Sequence, residues 1–231
     1  MKKQSQVIGY FLGMVIFLTI VSPVNATLTI RVSDGANVFT IPDGSAGELS
    51  SRDGAVLYTN SFGNAALNVD TGLSKPVIGS AAVPELHLDS VLVSSGPINL
   101  TIALSDTNFA GAGRFIASIG GVLNSTAGST VTYTVYRDLA NVLFGTGPGT
   151  FLCTTGPLSA NSLFYFGGGC LGEPTGDSAY SLTLVGVINH LGPGNSSFNA
   201  ILVDVPEPAS MILLGLGLIG LGSWMRIRKR R

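Results

Sequence analysis

The chain has 231 residues, of which 45% are hydrophobic and only 11% are charged, and this composition excludes an intrinsically disordered protein. Its formal net charge of -1 conceals an asymmetry, because residues 27–205 carry five basic and twelve acidic side chains, a balance of -7, while most basic residues lie near the two ends. An acidic body offers no basic footprint for phosphates, which excludes nucleic-acid binding as its function.

The first 26 residues have the pattern of a secretory signal peptide. Lys2 and Lys3 precede an apolar run over residues 7–21, and a Ser-Pro pair then leads to a small-residue cleavage site that ends at Ala26. We expect signal peptidase to cut after Ala26, so that the mature chain begins at Thr27. The alternative is an N-terminal membrane anchor, for which the run is short compared with the roughly 20 residues of a membrane span.

Residues 27–204 are predicted to form one all-β extracellular domain, an antiparallel β-sandwich or a jelly roll. Apolar side chains recur at every second position, which is the period of a strand. This alternation is present in five segments: Leu28-Ile30-Val32, Ile98-Leu100-Ile102-Leu104, Val131-Tyr133-Val135, Tyr180-Leu182-Leu184 and Phe198-Ala200-Leu202. Turn signals that join Asp or Pro to Gly separate the segments. The pattern predicts about nine to eleven short strands, with no linker that divides the body.

A possible metal site lies on one predicted strand. Glu85, His87 and Asp89 alternate with Leu86 and Leu88, so the three polar side chains should share a face. Residues two apart on a strand are about 7 Å apart, which is too far to close a tight site, and a solvated strand face has the same pattern. We therefore predict no metal ligands here.

Acidic and amide residues are also predicted to lie in loops. Their side-chain oxygens could bind a structural calcium ion, which is the alternative to a protein without metal. The residues concerned are Asp34, Asn37, Asp43, Asp53, Asp106 and Asn108. Their spacing matches no EF-hand loop.

Catalysis is not predicted. A hydrolytic triad needs a base, and the only histidines are His87 and His190. The nucleophile-elbow pattern Gly-x-Ser-x-Gly does not occur in the sequence. We predict no catalytic residue and no cofactor.

Four aromatic residues are candidates for a sugar-binding platform: Tyr133, Tyr136, Phe164 and Tyr165. The alternative for each is a place in the core. Tyr133 shares the alternating apolar face of its segment, which favours burial.

Cys153 and Cys170 are the only cysteines. Because an exported chain enters an oxidising compartment, we predict a disulfide between them. It would close a glycine-rich loop of sixteen residues and stabilise the fold by about 3 kcal/mol.

Residues 205–231 are predicted to hold the chain in the membrane. Pro206, Glu207 and Pro208 precede an apolar stretch from Ala209 to Met225. As a helix this stretch would be about 26 Å long, which barely crosses a core of about 30 Å. The basic residues that follow form a stop-transfer signal that should stay in the cytoplasm. They are Arg226, Arg228, Lys229, Arg230 and Arg231.

A Pro-Glu-Pro motif, an apolar helix and a terminal arginine cluster, in a chain with a signal peptide, resemble the PEP-CTERM sorting signal of Gram-negative bacteria. The resemblance implies recognition by an exosortase, which resembles a cysteine transpeptidase and is thought to cut near the motif. It also implies a destination at the cell surface or in an exopolysaccharide matrix. The alternative is an ordinary tail anchor.

Together these features predict a non-catalytic exported protein of the cell surface or the exopolysaccharide matrix. Its expected partners are signal peptidase, an exosortase, the inner membrane transiently and extracellular polysaccharide. The alternative function is a glycan-binding module on the same scaffold, and a carbohydrate-active enzyme is a more distant one.

Overall fold

A computed structural model of the chain describes residues 28–110, 114–159, 163–171 and 178–205, which form two antiparallel β-sheets. Sheet A contains seven strands: β1 (Thr29–Ser33), β2 (Val38–Pro42), β6 (Ile98–Phe109), β8 (Ser129–Asp138), β9 (Phe151–Thr154), β10 (Leu158–Ser159) and β12 (Tyr180–His190). Sheet B contains six: β3 (Ala55–Phe62), β4 (Ala65–Leu73), β5 (Glu85–Ser94), β7 (Arg114–Ser125), β11 (Leu163–Leu171) and β13 (Gly194–Asp204). The described residues contain no helix, so the prediction of an all-β antiparallel fold is confirmed for them.

The chain crosses repeatedly from one sheet to the other. Sheet A has the order β10-β8-β12-β6-β1-β2, with β9 also paired to β8, and sheet B has the order β11-β7-β13-β5-β4-β3. Consecutive strands such as β7 and β8, or β12 and β13, belong to opposite sheets. The last described strand, β13, therefore lies inside sheet B, between β7 and β5.

The core lies between the two sheets and is built from the alternating side chains that the sequence predicts. Sheet A contributes Ile30, Val32, Leu100, Ile102, Leu104, Val131, Val135, Leu182 and Leu184, and sheet B contributes Leu86, Leu88, Leu92, Phe115, Ile119, Phe198 and Leu202. Gly186 of β12 allows the sheets to approach, because a Cβ at this position would lie 3.1 Å from the Phe198 ring. A side chain there would displace the largest apolar group of β13.

The structure has thirteen described strands, which is more than the nine to eleven that the sequence predicts. The additional strands include β9, with four residues, and β10, with two. Segments this short contain too few positions for an alternating pattern to be recognised. Both pair with the same strand, β8, and form the edge of sheet A beside it.

A buried ion pair corrects the prediction that Asp106 lies in a loop. Asp106 and Asn108 lie within β6, and the Asp106 carboxylate is 0% exposed. Lys75 Nζ lies 2.7 Å from Asp106 Oδ2, and the Ser74 hydroxyl donates to the same oxygen at 2.6 Å. Lys75 also donates to the Thr107 carbonyl. The carboxylate of Asp106 is thus paired with a cation inside the protein and is not an open calcium ligand.

Cys153 and Cys170 form the predicted disulfide, with 5.4 Å between their Cα atoms. Cys153 lies in β9 at the edge of sheet A, and Cys170 lies in β11 at the edge of sheet B. The bond therefore joins the two sheets along one side of the sandwich.

The predicted signal peptide and residues 206–231 lie outside the described residues. Within the part of the chain that the structure describes, no helix has the length and apolar character needed to cross a membrane.

Candidate functional site

The outer face of sheet B, here called the sheet-B face, presents a row of exposed and half-buried residues across five strands. Register pairs Tyr165 of β11 with Gly120 of β7, Gly120 with Asn199 of β13, Asn199 with Asp89 of β5, and Asp89 with Thr71 of β4. Neighbouring strands are about 4.8 Å apart, so the row extends about 14 Å from Tyr165 to Asp89. The row is therefore long enough to contact an extended ligand.

Tyr165 is the most exposed aromatic residue on this face, with 77% of its surface accessible. Its ring leans over two glycines: a Cβ at Gly120 would lie 3.3 Å from Tyr165 Cδ2, and one at Gly167 would lie 2.6 Å from the Tyr165 hydroxyl oxygen. The two missing side chains leave room for the ring to lie along the sheet. One side of the ring consequently remains open to solvent.

Polar side chains continue the face beyond Tyr165. The Asn199 side-chain amide donates to Asp89 Oδ1. In the next row, Ser118 of β7 lies opposite Ile201, which lies opposite His87 of β5. The arrangement provides donors and acceptors at several points beside an apolar ring.

Glu85, His87 and Asp89 lie on the sheet-B face, and Leu86 and Leu88 are fully buried on the other side of β5, as the alternation predicts. His87 Nε2 lies 3.0 Å from Glu85 Oε1. Among the described residues, no group of three or more His, Cys, Asp or Glu side chains is arranged to hold a metal ion.

The other three aromatic candidates have different surroundings. Tyr133 is only 1% exposed, and its hydroxyl donates to the Ile201 carbonyl at 3.3 Å. Phe164 packs partly against the core. Tyr136 lies on the outer face of sheet A, where its ring meets that of Phe151 edge to face at 6.2 Å. Of the four, Tyr165 is the most open to solvent.

The outer face of sheet A is partly covered by the chain between β8 and β9. Arg31 of β1 stacks on the Phe144 ring at 3.8 Å. The Ser181 hydroxyl donates to the Val142 carbonyl, and the Asn141 side chain exchanges two hydrogen bonds with Asn108. These contacts hold the segment against the sheet and reduce the surface left for a ligand.

Asp70 and His190 are buried titratable groups of the described strands that have no charged partner. Asp70 of β4 is 0% exposed, and burial raises its pKa to about 7. The Ser90 hydroxyl opposite Asp70 weakly opposes the shift, although neither oxygen of the carboxyl group has a hydrogen-bond partner at bonding distance. Burial lowers the pKa of His190, whose Nδ1 lies 3.4 Å from the Ser94 hydroxyl. Because His190 is buried, it is not positioned to accept a proton from a substrate in solvent.

Two other acidic residues of the predicted calcium loops, Asp34 and Asp43, accept backbone hydrogen bonds, the first within its own turn and the second from a turn eleven residues away. Asp34 accepts hydrogen bonds from the backbone and the side-chain amide of Asn37 and from the backbone of Ala36, and these bonds lower its pKa. Asp43 accepts from Gly54 N at 2.6 Å, and burial raises its pKa. Both carboxylates therefore act as hydrogen-bond acceptors that stabilise turns.

Sequence reasoning identified Tyr165, Glu85, His87 and Asp89 but missed Ser118, Gly120 and Asn199. The three residues that the sequence did not point to lie in β7 and β13, and only the strand pairing brings them beside Tyr165 and Asp89. Their alternation with apolar residues predicts which of them point outward. It does not predict which strands are neighbours.

Comparison with known proteins yields one sequence match and several distant structural ones. Residues 204–230 match the PEP-CTERM protein-sorting motif. No curated protein matches the chain.

The structural matches share little sequence with this chain. A structure of TmCBM61 in complex with beta-1,4-galactotriose is 7% identical and has a TM-score of 0.32 over 57% of this chain and 85% of the other. TmCBM27, described as a carbohydrate-binding module with specific mannan recognition, is 9% identical, with a TM-score of 0.31 over 64% and 86%. The K1 cleaved adhesin domain of Lys-gingipain from Porphyromonas gingivalis is 9% identical, with a TM-score of 0.26 over 77% and 91%. Scores this low support no functional conclusion.

The described residues define an all-β protein of two antiparallel sheets. The chain carries a PEP-CTERM protein-sorting motif, which begins at the last residue of β13.

Proposed function

We propose that this chain is a non-catalytic exported protein that an exosortase-type system delivers to the cell surface or the exopolysaccharide matrix. The observation that supports this proposal most directly is the sorting motif at residues 204–230. Signal peptidase would remove residues 1–26, and the segment 205–231 would hold the protein in the inner membrane until it is processed.

The junction between the body and the motif supports separate roles for the two. Strand β13 pairs with β5 and β7 almost to its last residue, and Asp204 N donates to the Pro84 carbonyl at 2.9 Å. Val205 N then donates to the Arg114 carbonyl at 2.7 Å. Pro206 has no amide hydrogen and cannot donate to an adjacent strand. Cleavage after this point would leave every described strand intact.

The surroundings of the two histidines support the proposal that residues 27–205 are not catalytic. His190 is buried, and within the described residues the hydrogen-bond partner of His87 is Glu85 rather than a nucleophilic side chain. If the purified protein depolymerised the producer's own polysaccharide, the carbohydrate-active enzyme would replace this proposal.

The sorting step is tested with the triple variant Pro206→Ala, Glu207→Ala, Pro208→Ala in a producing cell that has an exosortase. We expect the wild-type protein in the surface or matrix fraction and the variant in the inner-membrane fraction, because the variant keeps its span but loses the recognised motif. Pro148→Ala, in an exposed turn of the body, is the matched control and should be sorted like the wild type. Normal surface delivery of the triple variant would contradict the proposal.

A further inference from the structure

We propose that the sheet-B face binds an uncharged polysaccharide, with Tyr165 as the stacking platform and Ser118, Asn199 and Asp89 as the polar contacts. This inference concerns what the delivered body does, and it does not depend on how the body is sorted. Its test therefore separates a failure of binding from a failure of sorting.

The stacking part of the site is the open side of the Tyr165 ring. The ring leans over Gly120 and Gly167, and 77% of the residue is accessible. A pyranose ring presents a layer of weakly positive C–H groups, which suits the negative face of an aromatic ring. A tyrosine that served only the core would bury its ring, as Tyr133 does.

The polar part of the site lies at the distance that the next sugars of a chain would reach. Ser118 lies on the strand next to Tyr165, and Asn199 lies two strands away, at about 10 Å. The hydrogen bond from Asn199 to Asp89 fixes the orientation of both side chains and leaves Asp89 Oδ2 available as an acceptor. Hydroxyl groups of a sugar donate to such oxygens and accept from amides.

The negative charge of the sheet-B face determines which class of polysaccharide can bind to it. Asp89 and Glu85 are acidic, and residues 27–205 have a formal net charge of -7, so an anionic polymer would be repelled. Arg114 lies on the same face but six residues along β7 from Gly120, about 20 Å away. A neutral glycan is the ligand that fits both the ring and these carboxylates.

The disulfide supports the position of the platform. Tyr165 lies in β11, an edge strand with a neighbour on one side only. Cys170 of the same strand is bonded to Cys153 of sheet A. Tethering an edge strand reduces its freedom to separate from the sheet, so the ring is held before the ligand arrives.

The test is affinity electrophoresis of the full-length chain in mild detergent. The gels contain a neutral polysaccharide (galactan, mannan, hydroxyethylcellulose or the neutral fraction extracted from producing cells) or the anionic polygalacturonate. We expect retardation by at least one neutral polymer and none by polygalacturonate. Tyr165→Ala should weaken the retardation at least tenfold, and Asn199→Ala should weaken it several-fold. Tyr165→Phe should keep most of the binding.

Two controls separate the site from effects on folding. Phe151→Ala removes an exposed aromatic ring from the opposite sheet and should leave binding unchanged. Gly120→Ala adds a methyl group against the Tyr165 ring and should weaken binding while the thermal midpoint changes little.

Three outcomes would overturn the proposal. They are the absence of retardation by every neutral polymer, equal retardation of the wild type and Tyr165→Ala, and stronger retardation by polygalacturonate. Sedimentation gives a further check, because Leu163 and Val122 are exposed beside Tyr165 and could face a second copy. A dimer lost in Tyr165→Ala, without any glycan binding, would assign the face to self-association instead.

Discussion

Asp70 shows how a single residue can set the pH dependence of this protein. It lies between Tyr58 and Ser90 in the inner layer of sheet B, without a hydrogen-bond partner for its oxygens. Burial raises its pKa from 3.8 to about 7 because the charged form loses its hydration. Asp106 differs from Asp70 because its buried carboxylate is paired with a cation, the ammonium group of Lys75.

We predict that Asp70→Asn stabilises the protein above pH 7. The folded state holds the Asp70 proton more tightly than the unfolded chain does, so the free energy of unfolding falls as the pH rises from about 4 to about 7. The full loss is on the order of 4 kcal/mol. Denaturant unfolding between pH 4.5 and 8 should show this slope in the wild type and a much smaller one in the variant.

The exposed Asp53 provides the control for this comparison. Asp53→Asn should keep the wild-type slope. His190 acts in the opposite direction, since its lowered pKa makes the protein less stable as the pH falls through the usual range of histidine. Equal slopes for the wild type and Asp70→Asn would show that folding does not raise the pKa of Asp70.

At the scale of elements, the disulfide joins the two edge strands β9 and β11, and β11 carries Tyr165 of the sheet-B face. Neither strand has an extensive place in a sheet: β9 has four residues, and β11 pairs only with β7. A covalent link across the layers compensates for the missing neighbours.

We predict that the double variant Cys153→Ser, Cys170→Ser is less stable than the wild type by about 3 kcal/mol, because the unfolded chain regains the freedom of the sixteen-residue loop. The thermal midpoint of the purified protein measures the loss. A reducing agent should lower the midpoint of the wild type by a similar amount and leave that of the double variant unchanged. The same midpoint for the oxidised wild type and the variant would contradict a stabilising role.

The long strands could be predicted from the sequence, and their pairing could not. The segment from Val131 to Val135 and the one from Leu100 to Leu104 alternate so regularly that their buried faces follow from hydrophobicity alone. The neighbours of β13 depend on contacts between distant parts of the chain, and so does the meeting of Asn199 with Asp89. The burial of Asp106 was missed because its partner, Lys75, is 31 residues earlier.

At the scale of the whole molecule, the β-strands and the sorting motif occupy separate parts of the chain. The described strands end at Asp204, and the match to the sorting motif begins at the same residue. The acidic body and the basic end are thus separated at one point of the sequence. Removal of the segment after this point would release an acidic sandwich with its exposed sheet-B face unchanged.

The central claim is that the motif directs processing, and the C-terminal mass of the native surface protein tests it most directly. The protein is recovered from the surface or matrix fraction of producing cells, and its intact mass and C-terminal peptide are measured. We predict a chain that ends near Pro206, Glu207 and Pro208 and lacks the apolar segment and the arginine cluster. A surface protein that still ends at Arg231 would contradict the claim.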